Sequence, residues 1–175
     1  WIGDEEVGAR KLAAFFELHI EQGPILEDEN IDIGVVTHGQ GLNWLQVTLT
    51  GKEAHTGSTP MPKRVNAGLG MARITQLVDE IAWSHAPLAV GAVGHCDVYP
   101  NSRNIIPGKV VFTVDLRHPK QQVIDDMEAR LRAGAAEICK EIGLEMEIEQ
   151  AGKFDPVEFD DGCVGAIRRA AQRLG

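Results

Sequence analysis

An α+β fold is expected from three features of the sequence. Between residues 43 and 150, strand-like alternation and helical spacing follow one another in the order β-α-β-β-α-β, Gly and Pro punctuate the joins, and the pattern changes at both ends. Four strands with two helices on one face is the ferredoxin-like arrangement, and it leaves the other sheet face free for a partner. The segments outside, 1–39 and 152–175, do not belong to this unit. They read as two stumps of a larger domain into which it is inserted, with the divisions expected at 1–42, 43–151 and 152–175.

The elements follow in order. Residues 15–21 (FFELHIE) alternate apolar and polar, a half-buried strand with Phe16, Leu18 and Ile20 on one side and Glu17, His19 and Glu21 on the other. Gln22-Gly23-Pro24 ends it, and a second short strand is expected at 33–36. Residues 44–50 are β-branched and alternating. Over 64–83, Ala67, Met71, Ile74, Leu77, Val78 and Ile81 recur at helical spacing. Strands are expected at 88–98 and 109–117, joined by a long turn rich in Asn and Pro. Pro119 is expected to open a helix at its favoured first position, with Ile124, Met127, Leu131, Ala135, Ile138 and Ile142 as its apolar stripe and Gly143 as its stop. Residues 144–148 alternate once more, and 163–174 is helical again.

Composition narrows the function. The chain has 175 residues, 43% hydrophobic and 25% charged, which is the balance of a soluble globular protein long enough to bury a core without disulfides. A formal charge of −9 disfavours nucleic acid and anionic membranes, because no excess of Lys and Arg exists to displace counterions. No apolar run approaches the length of a membrane span, and no basic-then-apolar leader opens the chain. Cys96, Cys139 and Cys163 form no CxxC pair, so reduced thiols and a cytoplasmic location are expected. The opening residue is Trp1 and the chain stops straight after a helical pattern, which reads as a piece of a longer protein.

Four side chains are candidates for chemistry. His19, between two glutamates on the polar side of its strand, reads as a surface histidine or as a metal ligand oriented by a carboxylate. His55 stands at a strand end before a polar loop with Gly57 and Pro60. That loop reads as a reach toward a ligand or as the lead-in to the helix, with Ser58 and Thr59 as caps. Asn104 reads as a turn asparagine or as an amide donor to a carbonyl oxygen. Arg117 projects from the face opposite Val110, Phe112, Val114 and Leu116, where it either clamps a carboxylate or pairs with Asp115. No HExxH, GxSxG or phosphate-cradling glycine loop is present.

Four ordered strings add a resemblance: Glu17 to Pro24 (ELHIEQGP); Gly51-x-x-Ala54-His55-x-Gly57-x-x-Pro60-Met61-x-x-Arg64; Pro100-Asn101-x-x-Asn104-x-Ile106-Pro107-Gly108; and Phe112 to His118 (FTVDLRH). They run in order from Glu17 to His118. The sequence resembles the hydantoinase/carbamoylase family of metal-dependent amidohydrolases, which includes N-carbamoyl-L-amino-acid hydrolases, β-ureidopropionases and allantoate amidohydrolases. The resemblance implies a metal-binding α/β catalytic domain interrupted by a ferredoxin-like lid that also forms a homodimer. It implies His19 as one ligand of a two-metal centre, zinc or manganese, and Gln22 on the substrate side. It implies His55 and Asn104 at the scissile ureido carbonyl and Arg117 at the substrate carboxylate, with some lid residues serving the neighbouring subunit. The family's other metal ligands have no counterpart here, since Glu5-Glu6 stands in the wrong context. The chain is therefore expected to be an inactive fragment of an enzyme that cleaves the N-carbamoyl bond of small ureido acids. The alternative is the dimerisation module of a related dipeptidase or aminoacylase. An RNA-binding module on the same fold is disfavoured by the charge and by the lack of paired surface aromatics.

Overall fold

A computed structural model describes residues 11–174. It divides into two units, His38–Val157 and the described parts of Trp1–Thr37 and Glu158–Gly175. The larger unit carries β1 (Gly41–Thr50), α1 (Ala67–Ser84), β2 (Val90–Tyr99), β3 (Lys109–His118), α2 (Gln121–Ile142) and β4 (Glu145–Phe154). Its four-stranded sheet has the order β2-β3-β1-β4, with every neighbouring pair antiparallel. The central pair is in unbroken register from Gly41 opposite His118 to Thr50 opposite Lys109. The two outer pairings each contain an irregularity, at Trp44/Leu45 against β4 and at Val93/Cys96 against β3. Strands β1 and β4 pass the limits expected at 43 and 151, starting at Gly41 and ending at Phe154.

Alternation along the two central strands decides which face is buried. Leu45, Val47 and Leu49 from β1 and Val110, Phe112, Val114 and Leu116 from β3 are fully buried. They form one cluster with Ile74, Val78 and Ile81 of α1 and Met127, Leu131 and Ala135 of α2. Both helices therefore cover the same face, which places Trp44, Gln46 and Thr48 of β1, with Thr113, Asp115 and Arg117 of β3, on the other.

Helix ends follow from local chemistry. The Asn66 side chain accepts from the amides of Gly68 (2.9 Å) and Leu69 (3.2 Å) and starts α1. Gly143, at φ +84°, stops α2 by taking the left-handed conformation that lets the Gly143 and Leu144 amides return to the Cys139 carbonyl. Pro119 does not open α2 as expected. His118 Nδ1 accepts the Lys120 amide at 2.9 Å, which holds a turn ahead of the helix and moves its start to Gln121.

Among the described residues two polar side chains are buried, Asn43 and His118. Asn43 is fully buried; its amide nitrogen donates to Glu128 on α2, and its carbonyl accepts from Gln150 on β4 at 3.1 Å. Arg132 in turn donates to Glu128 at 2.7 Å, so one network ties β1 to α2 and to the edge strand.

The smaller unit holds a single helical turn, Ile25–Asp28, and α3 (Asp161–Leu174). Asp160 starts α3 by accepting the Cys163 amide at 2.9 Å, and that bond holds its carboxyl below the usual carboxylate range. The strand expected at 15–21 is not one: no described residue pairs with it, and Leu18 is 99% exposed. Alternation specifies faces, but a strand also needs a partner for its backbone. The strand expected at 33–36 is likewise unpaired, and pairing begins only at His38–Gly39. Cys96, Cys139 and Cys163 are all free thiols. Among the described residues no helix is long and apolar enough to cross a membrane.

Candidate functional site

Beyond Thr50 and Lys109 the central pairing continues in reduced form. The Gly51 amide donates to Gly108 at 2.7 Å, Lys52 bridges to Val65, and Ala54–His55 then pairs with Ile105–Ile106. Gly51 is required there, because a Cβ would collide with the Val65 backbone carbonyl. The Thr56 amide donates to the Asn104 carbonyl at 2.9 Å, which extends the ladder by one more bond. His55 and Asn104, far apart in sequence, are thus set side by side on exposed loops at one end of the sheet.

Both side chains are oriented. His55 Nδ1 accepts from the amides of Gly57 (3.0 Å) and Ser58 (3.2 Å). A ring nitrogen that accepts carries no proton in neutral imidazole, so the proton sits on Nε2, which faces outward as a donor. Asn104 Oδ1 accepts from the Ser102 hydroxyl at 2.9 Å, which leaves the amide nitrogen as the free end. Each residue thus presents a neutral N–H donor, the kind of group that suits a carbonyl oxygen gaining negative charge.

Arg117 stands elsewhere. It lies on the helix-free face, between Leu42 of β1 and Val90 of β2. Its Nε donates to Asp115 Oδ1 at 3.0 Å and its Nη2 to Oδ2 at 2.7 Å, and these bonds raise the guanidinium pKa above its ordinary value. The sheet position of Arg117 is eight residues from Lys109, about 27 Å at the rise of an antiparallel strand. Within one chain, the His55–Asn104 pair and Arg117 therefore occupy opposite ends of the sheet.

His19 and Gln22 lie in the smaller unit. His19 is exposed, with Nδ1 at 2.6 Å from the Ile20 carbonyl. Gln22 takes the left-handed conformation at φ +54°, uncommon for a residue with a side chain. Its neighbour Glu21 accepts the amides of Ile25 (3.1 Å) and Leu26 (3.0 Å), which pins the Gln22-Gly23-Pro24 turn to the helical turn after it. Among the described residues no three His, Cys, Asp or Glu side chains come together to hold a metal ion. Among the described residues the donor set does not fit a two-metal centre.

Two polar residues were not singled out for this site by sequence reasoning. Ser102 fixes the Asn104 amide, and the Ser-x-Asn spacing in the turn was its only trace. Arg64 lies in the second quoted string without a role, yet it binds two carbonyls of the His55 loop.

Comparison with known proteins gives this geometry its context. Residues 37–142 match the family described as peptidase dimerisation domain. The chain is 61% identical over its full length to the N-carbamoyl-L-amino-acid amidohydrolase of Rhizobium meliloti, and spans 42% of that protein. It is 34% identical to the allantoate amidohydrolase of Escherichia coli (strain K12), over 93% of this chain and 39% of that protein. The crystal structure of an amidase of the hydantoinase/carbamoylase family from Burkholderia multivorans superposes with a TM-score of 0.91 at 55% identity, over 96% of this chain and 41% of that one. The chain thus spans well under half the length of the relatives it matches. It belongs to the peptidase dimerisation domain family, and the solved structure it superposes on is of the hydantoinase/carbamoylase family.

Proposed function

We propose that the chain is the lid and dimerisation part, with flanking pieces of the catalytic domain, of an amidohydrolase that cleaves the N-carbamoyl C–N bond of small ureido acids. The observation that carries this reading is the pair of outward N–H donors on His55 and Asn104, each held by a bond to its other polar end. As water adds to the carbamoyl carbon, charge moves onto the carbonyl oxygen, and these two donors stabilise it. Breaking the C–N bond releases the amino acid, and the carbamate left decomposes to carbon dioxide and ammonia. Arg117 holds the substrate carboxylate, and Gln22 lines the substrate side. The strand order β2-β3-β1-β4 with both helices on one face supports a ferredoxin-like lid.

The reading assigns the longer protein two divalent ions, zinc or manganese, with His19 as one ligand and the others in the part of the relatives' length that this chain does not span. It also makes the protein a homodimer, supported by the description of the matched family and by the helix-free sheet face. Because His55 and Asn104 stand at the opposite end of the sheet from Arg117, one substrate would meet the first two from one subunit and the third from the other.

The test is hydrolysis by the full-length protein that contains this chain. N-carbamoyl-L-amino acids should be turned over with release of ammonia, and His55→Ala and Asn104→Ala should each lower kcat. Turnover of dipeptides or N-acyl amino acids with none of ureido acids would favour a dipeptidase or aminoacylase. Unchanged turnover in both variants would remove the assigned donors.

A further inference from the structure

We infer that Arg64 is a positioning residue that fixes which ring nitrogen of His55 carries the proton. The inference rests on the proposed function only for the use to which His55 is put. Arg64 is half-buried and follows the short 3₁₀ turn Met61–Lys63. Its Nη2 donates to the Thr56 carbonyl at 2.6 Å and its Nε to the Thr59 carbonyl at 3.0 Å.

The Thr56 carbonyl belongs to the same peptide unit as the Gly57 amide. A trans peptide is planar, with its C=O and N–H pointing in opposite directions. By holding the oxygen on one side, the guanidinium aims the N–H at His55 Nδ1 on the other, where it donates at 3.0 Å. The Ser58 amide makes the second bond to the same nitrogen, and the Thr59 amide returns to the His55 carbonyl at 3.2 Å. The two carbonyls that Arg64 grips therefore bracket the two residues whose amides meet the ring. Gly57 leaves this peptide plane free to turn if the carbonyl is released, because no side chain restricts its backbone.

Once the plane turns, Nδ1 loses the Gly57 donor and keeps only the longer bond from Ser58, so the proton can move to it. Nε2 is then bare and faces outward as an acceptor, the wrong polarity for a carbonyl oxygen gaining charge. Arg64 itself has no bond to the ring, so it acts on His55 through the peptide. A lysine keeps the charge but cannot place two donors in one plane on two separate carbonyls.

The experiment is long-range ¹H–¹⁵N NMR of the His55 ring at neutral pH in the 175-residue chain, for the parent, Arg64→Gln and Arg64→Lys. The parent should show a bare Nδ1 and a protonated Nε2. In Arg64→Gln the two nitrogen shifts should move toward each other as both tautomers become populated, and the Gly57 and Ser58 amides should exchange at least about tenfold faster. Arg64→Lys should lie between. If Arg64→Gln loses its dispersed spectrum, Arg64→Lys decides. An unchanged Nε2–H tautomer with slow Gly57 and Ser58 exchange in the folded variants, or a protonated Nδ1 in the parent, overturns the inference. Kinetics of the full-length protein separate it from the functional reading. A tautomer shift in the Arg64 variants alongside normal turnover by His55→Ala would keep the positioning role and discard the catalytic use of His55.

Discussion

The Thr56 backbone amide donates to the Asn104 carbonyl at 2.9 Å, the last bond of the ladder that sets His55 beside Asn104. The Asn104 side chain is thus carried on a fixed backbone, with its oxygen already occupied by Ser102. Asn104→Asp preserves size and can still accept from Ser102, but it replaces the outward N–H₂ donor by an acceptor oxygen. In the full-length protein kcat should fall about a hundredfold to a thousandfold, the range for losing one oxyanion donor. Circular dichroism should show an intact fold, and a kcat within twofold or so of the parent would mean that Asn104 is a turn residue only.

Arg117→Lys addresses the other end of the sheet. Asp115 occupies Nε and one hydrogen of Nη2, which leaves the remaining Nη hydrogens for a carboxylate. A lysine ammonium lacks the planar fork that serves both at once. The substitution should weaken substrate binding by roughly 1.5–3 kcal/mol, appearing mainly in KM, and should matter little for ureido compounds without a carboxylate. An equal loss for both substrate classes would reduce Arg117 to a partner of Asp115.

Asn43→Ala should cost about 1–3 kcal/mol of stability, since it leaves Glu128 and Gln150 without a buried partner. Urea unfolding measures this. Combining it with Glu128→Gln should cost less than the sum of the single changes, because both break the same network; strict additivity would show that the three side chains are not coupled.

The buried His118 ring at the end of β3 makes stability pH-dependent. Burial, helped by the nearby charges of His85 and Lys120, lowers its pKa from the ordinary 6.5. The unfolded chain therefore takes up this proton at a higher pH than the folded one. The contribution is complete above about pH 6.5 and is lost as the pH falls toward the folded-state value. Urea midpoints should be lower at about pH 5.5 than at about pH 7.5, with a smaller difference in His118→Gln. Equal differences in the two proteins would place the pH dependence elsewhere.

The larger unit was legible because its signals are periodic. Alternation along 109–117 sorted Phe112, Val114 and Leu116 from Asp115 and Arg117, and helical spacing found both helices within a few residues. Where bonding is not periodic, the reading failed. Residues 15–21 alternate as cleanly as any strand here but are unpaired. The two-residue ladder under His55 is too short to carry a period, and the grip of Arg64 on two backbone carbonyls depends on no neighbouring residue type. The Asp115 partner of Arg117 was visible, because two residues apart on one strand means one face.

The length of the central strand pair sets a rule of inheritance for a paired enzyme. A molecule the size of an amino acid cannot span a sheet end to end, so in a two-fold dimer each reaction centre would draw its carbonyl donors and its carboxylate clamp from different polypeptides. A mixed dimer of one His55-deficient and one Arg117-deficient chain would then hold one centre with both defects and one with neither. Two alleles, each inactive alone, would complement when co-expressed, restoring up to about half of the parental activity per mixed dimer.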